Sequence, residues 1–195
     1  MNASDIFQTT IQLIESHTIT IVLVLLLLFV VLLMLRKRIN SSWLNFKTRR
    51  CLERLGAKQA SDLRLPDGLG GYFLIDRLIL SEHGISLLMH NRYPGKIFCA
   101  DHIDDWTQML GKKSYRFKNP FYNLDLQVKA VSRFVPGVPV NGFVFFDHLA
   151  EFPKGHPERV IYPKRIPQEL KHIKAGQVQS SVNTAWENLL KAAIK

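Results

Sequence analysis

The chain is poor in cysteine. Cys51 and Cys99 are the two in 195 residues, and they form no CxxC or metal-ligand spacing. A redox motif or structural zinc site is therefore not encoded. In a reducing cytoplasm they read as a membrane-proximal thiol and a strand residue, not as a disulfide. Walker A, GxSxG and HExxH patterns are also missing, so ATPase, serine hydrolase and zinc protease chemistry have no support. There is no internal repeat. Residues 18–35 contain no charge, no Gly and no Pro, and residues 1–17 contain no Lys or Arg.

The apolar run at 18–35 predicts one transmembrane helix. Its 18 residues would span about 27 Å at ~1.5 Å per residue, against a hydrocarbon core of ~30 Å. A cleaved signal peptide would carry its basic residues before the run and a small-x-small site after it. Here Asp5 and Glu15 precede the run, and Arg36, Lys37 and Arg38 follow it. Lys and Arg flanking a span stay on the cytoplasmic side. The expected topology is single-pass in a bacterial inner membrane, with the N-terminus out and the rest in the cytoplasm. Residues 36–55 read as a basic juxtamembrane helix, either with Arg36, Lys37, Arg38 and Trp43 at the lipid headgroups or as a stop-transfer signal running into a solvated helix. Seven basic residues against Glu53 leave 36–54 at +6, so this stretch carries much of the net charge of +10. The high pI is then weak evidence for nucleic acid.

Beyond the run, the expected organisation is a tail at 1–17, a domain at 56–165 and a helical segment at 166–195. Gly56 is placed to end the helix before it, and 66–71 is a turn-rich loop. Strands are predicted at 72–80 and 85–89, joined as an antiparallel hairpin. Further strands are predicted at 95–100, 114–118, 138–147 and 159–162. Phe121, Leu124, Val128, Val131 and Phe134 recur at helical spacing after Pro120. Short helices are expected at 167–174 and 181–194. Asp101, Asp104 and Asp105 before Trp106 read as a helix N-cap and first turn, or as a rebuilt metal site. The fold class is α/β, a mixed β-sheet with flanking helices, preceded by one transmembrane α-helix.

These elements resemble the NERD, or nuclease-related, domain. The matching pieces are the strand at 75–80 containing Asp76-Arg77, the Gly84-led strand, Gly95-Lys96-Ile97, Trp106 and Asn119-Pro120. The resemblance implies a restriction-endonuclease-like fold, in which an Asp and a neighbouring Glu bind a divalent metal and a Lys two residues on faces the same way. Asp76 stands at the Asp position. The Glu and Lys positions fall on Met89 and Asn91, which can neither hold Mg²⁺ nor supply the charge. Arg77 and Asn123 replace a family His and Gln. The expectation is a site that is vestigial at Asp76, with no cofactor, and a domain that binds nucleic acid or a partner protein without cutting. The alternatives are an active Mg²⁺-dependent nuclease with a displaced site, and a structural membrane component. Lys112, Lys113, Arg116 and Lys118 interleave with aromatics and read either as a nucleic-acid strip or as a guarded edge strand. The oligomeric state is not encoded.

Overall fold

The computed structural model describes residues 3–67 and 70–193, with side chains for 20–36, 42–67, 70–174 and 176–193. It divides into two compact units, Met1–Phe46 and Lys47–Lys195.

The first unit is helical. Helix α1 runs Ala3–Glu53, and its residues from Lys47 on belong to the second unit. No Gly or Pro falls within it, so the separately expected tail, span and juxtamembrane pieces form one uninterrupted helix. The large apolar side chains from Ile21 to Leu35 are exposed, from 39% at Val30 to 69% at Met34. None joins a core cluster.

Among the described residues, no helix is long and apolar enough to cross a membrane. This corrects the expected transmembrane helix at 18–35. With it fall the lipid bilayer as partner and the single-pass inner-membrane topology. The side chains at 18, 19, Lys37 and Arg38 lie outside the described residues. Arg36 and Trp43, expected at headgroup level, are exposed.

The second unit is a mixed α/β domain. Its strands are β1 (Lys58–Pro66), β2 (Tyr72–Leu80), β3 (Ile85–Asn91), β4 (Gly95–Phe98), β5 (Asp105–Leu110), β6 (Lys113–Lys118), β7 (Val140–Phe146), β8 (Ala150–Glu151) and β9 (Val160–Ile161). Its helices are α2 (Pro120–Phe134) and α3 (Ser180–Ala192). One sheet has the order β1-β2-β3-β7-β9, the other β6-β5-β4-β8. In the first sheet β1, β2 and β3 are antiparallel, while β3, β7 and β9 run parallel. The mixed sheet therefore agrees with the expectation.

Strand β7 shows how sequence becomes layering. Side chains alternate across a strand. Val144 and Phe146 join the main core with Trp106, Leu124 and Trp186, whereas Phe143 and Phe145 join a second cluster with Leu52, Ile79 and Leu170. A strand apolar on both faces is buried on both, as its place between β3 and β9 requires. Helix α2 starts where Asn119 accepts from the Phe121 N–H, with Pro120 in the first turn.

Residues 105–110 are a strand, not the helix that the Asp cluster suggested. Trp106 and Gln108 are buried in alternation and β5 pairs on both sides. The carboxylates serve that strand and its loop. Asp104 accepts from the Tyr122 hydroxyl and Asp105 pairs with Lys118. Strand β1 was not foreseen, because its first half is polar and shows no alternation.

Candidate functional site

The second strand loses its alternation at one point. Ile75 and Leu78 both face the main core, although three residues apart in a regular strand would face opposite ways. Across the ladder, Ser61 pairs with Arg77 and Leu63 with Ile75, so this register sets Asp62 opposite Asp76. Asp62 is also the non-glycine residue with positive φ (56°) among those described. Such an irregularity re-aims side chains. Its consequence is that Asp62, Asp76 and Arg77 all line one cleft of about 330 Å³, together with Leu52, Leu88, His90 and Arg92.

Asp76, Arg77 and His90 are each held by hydrogen bonds. Asp76 Oδ2 accepts from the His90 backbone N–H at 2.9 Å. Arg77 donates to Gln59 Oε1 at 2.6 Å. Gln59 in turn donates to the Leu52 and Leu55 carbonyls, at and just past the end of α1. Burial lowers the pKa of Arg77, opposed by the charges of Asp62 and Glu53. Leu88, His90 and Arg92 reach the cleft from successive same-side positions of β3 and its end.

His90 Nε2 lies 2.6 Å from Asp147 Oδ1, both side chains about one-fifth exposed. A carboxylate only accepts, so Nε2 carries the proton, leaving Nδ1 as the ring's other nitrogen. The Phe145 ring meets the imidazole edge-on at 5.3 Å. Asp147 immediately follows β7, and His90 sits near the end of β3. In open α/β sheets ligands collect at the carboxyl ends of parallel strands, and this pair stands there. Next to Asp147, the buried His148 Nε2 has no hydrogen-bond partner among the described residues. Burial, then Lys47, lowers its pKa, against the opposing charge of Asp147.

The residues singled out in the sequence are placed as follows. Asp76 faces the cleft without pairing to Arg77 or Arg92 among the ion pairs of the described residues. Met89, where the resemblance would place a Glu, packs against the main core, and Asn91 does not line the cleft. Lys113, Arg116 and Lys118 lie on β6, the edge of the second sheet, and Lys112 on the turn before it. None of the four lines a cleft described here. Lys118 bonds Asp105 at 2.9 Å, and this bond raises its pKa. Asp62, Arg92 and the His90–Asp147 pair were not assembled from the sequence. The available signal was the period-two series Leu88, His90, Arg92.

The divalent metal that the fold implies does not fit these residues. Among the described residues no group of three or more His, Cys, Asp or Glu could hold one. One Asp76 oxygen is already engaged by a backbone N–H.

A family model described as NERD: Nuclease-related domain matches residues 40–147, more than half of the chain. No curated protein and no solved structure matches it. The chain belongs to the nuclease-related domain family.

Proposed function

We propose that this nuclease-related domain binds the backbone of a nucleic acid at the cleft of Arg77, His90 and Arg92, displaced from the family's Glu-x-Lys position, without metal-dependent cutting. The observation that carries the reading is the cleft itself: two guanidinium groups and an imidazole stand beside the carboxylates of Asp62 and Asp76, and one Asp76 oxygen is already taken up by a backbone N–H. Guanidinium forks match phosphate oxygens, often in bidentate fashion. Arg92 brings a cation close to where Asn91 replaces the family's Lys. Asp76, tied to the backbone of β3, holds the hairpin at this point.

The test is fluorescence anisotropy of the full-length chain with single- and double-stranded DNA and RNA across a salt series. Binding should weaken as salt rises. Arg92→Gln should lower affinity by roughly 5- to 20-fold and reduce the salt slope by about 1. Lys112 and Lys113 substitutions, on the β6 turn, should have smaller effects. Absence of salt-dependent binding would sink the reading. So would cleavage in Mg²⁺ or Mn²⁺ that disappears in Asp76→Ala or Asp62→Ala, which would establish a displaced two-carboxylate nuclease site.

A further inference from the structure

A second cleft opens on the other side of the His90–Asp147 pair. Its volume is about 620 Å³, and it is lined by Asp147, His148, Phe152, His156, Tyr162 and Lys164 among others. Asp147 and His148 follow β7, and Tyr162 follows β9. Because β3, β7 and β9 are parallel neighbours in that order, this cleft and the arginine cleft open at carboxyl ends of adjacent strands. His90 belongs to one cleft and Asp147 to the other, and 2.6 Å separates their bonded atoms.

The aromatic groups are fixed before any ligand arrives. Phe152 packs on Phe146 of the core at 5.3 Å between centroids. Tyr162 lies 5.6 Å from Phe152 with the rings tilted by 30°. His156 meets both rings, at 5.1 and 5.4 Å. Both nitrogens of His156 are engaged, Nδ1 with the Pro157 carbonyl at 2.9 Å and Nε2 with an Arg165 N–H at 3.1 Å. A carbonyl only accepts and a guanidinium only donates, so the ring is the neutral Nδ1–H tautomer. The residues between 152 and 156 include Gly155, at φ 79° with open space where a Cβ would stand. The cleft also carries acid, Glu151 and the edge of Asp147, beside the cation of Lys164. The lining holds no arginine fork, and its aromatic rings with polar groups at the edges match a flat aromatic ring.

We propose that this cleft is a nucleobase pocket, receiving one unstacked base of a single strand whose phosphates lie in the arginine cleft. The inference rests on the nucleic-acid reading above and adds the base and the strandedness. Stacking on an aromatic ring is sequence-tolerant and uncharged, while phosphate contacts govern the salt dependence. The two clefts thus predict separable signatures.

The experiment compares a fluorescein-labelled single-stranded 12-mer with an abasic strand of equal length, using the full-length chain. The base-bearing strand should bind roughly 10-fold more tightly. Tyr162→Ala should abolish most of that preference and leave the salt slope unchanged. Tyr162→Phe should retain it, which separates stacking from a folding defect. Arg92→Gln should weaken both strands alike. If Tyr162→Ala discriminates between the strands as well as the parent does, the base pocket is overturned while an Arg92 effect upholds the phosphate cleft. If neither strand binds, both readings fall.

Discussion

Trp106 joins several parts of the domain at one residue. It is fully buried, donates Nε1–H to the Ala100 carbonyl, and contacts the rings of Phe117, Phe121 and Phe146. Trp106→Ala should cost about 3–5 kcal/mol, read as a fall in the denaturant midpoint without a change in slope. Asn119 does comparable work with polar atoms. It caps α2 and donates to the Asp101 and Ile103 carbonyls while only 2% exposed. Asn119→Ala should cost about 2–3 kcal/mol, a lost cap plus two orphaned carbonyls. At Cys99, burial and then the charge of Asp101 push the thiol up to about 12. Reaction with iodoacetamide at pH 8 should therefore be far slower than for a free cysteine, because the thiolate is the nucleophile. Rapid labelling of Cys99 in the folded chain would contradict this.

His148 gives a pH dependence with a definite sign. Its pKa in the fold lies below the ordinary 6.5, so the folded state favours the neutral ring. The stabilisation is in place above about pH 6.5 and is lost as pH falls through the lowered pKa of the fold. The chain should lose stability between pH 7.5 and 5.5, and His148→Gln should shrink that loss, measured by denaturant midpoints.

At the scale of elements, α2 approaches β7 over a glycine. A Cβ on Gly142 would lie 2.7 Å from Val128 Cγ2 and 2.9 Å from Leu124 Cγ. Leu124 is fully buried and has little room to move. Gly142→Ala should therefore destabilise by about 1–3 kcal/mol through overpacking. The corner after α1 is similarly constrained. Gly56 has φ 60° and a Cβ there would meet the Leu80 carbonyl oxygen at 2.5 Å. These elements were legible to different degrees. The periodicity of Phe121, Leu124, Val128 and Val131 marks α2, and Asn119-Pro120 marks its start. The β2–β3 hairpin follows from two apolar runs and a short turn. Strand β1 was hidden by its polar half, and β5 was mistaken for a helix because an Asp cluster before Trp106 resembles an N-cap. What decided for a strand was pairing with β4 and β6, which a local pattern does not contain.

For the whole molecule, a ligand that binds only the folded domain must raise its stability. At a single-strand concentration 100 times Kd the gain is about 2.7 kcal/mol. A rise in Tm that shrinks with added salt should accompany the proposed binding in thermal denaturation, and it should be smaller for Arg92→Gln at the same strand concentration. The net charge of +10 favours encounter with polyanions in general, so the variant comparison, and not the bare affinity, carries the test.

By itself, the sequence determined the α/β class and the family, because these depend on residue identity and on short-range period. The apolar run at 18–35 was equally visible, yet a hydropathy pattern overreached as a topology: among the described residues no helix meets the length and apolarity of a membrane span. The tertiary structure alone decided where the chemistry gathers. Asp62 and Asp76 come to line one cleft from neighbouring strands, the break in alternation between Ile75 and Leu78 turns Arg77 into it, and His90 meets Asp147 across 57 residues of chain. The reason is physical. Period and propensity act over a few residues, whereas a site is made by strands that become neighbours only when the sheet closes on its core.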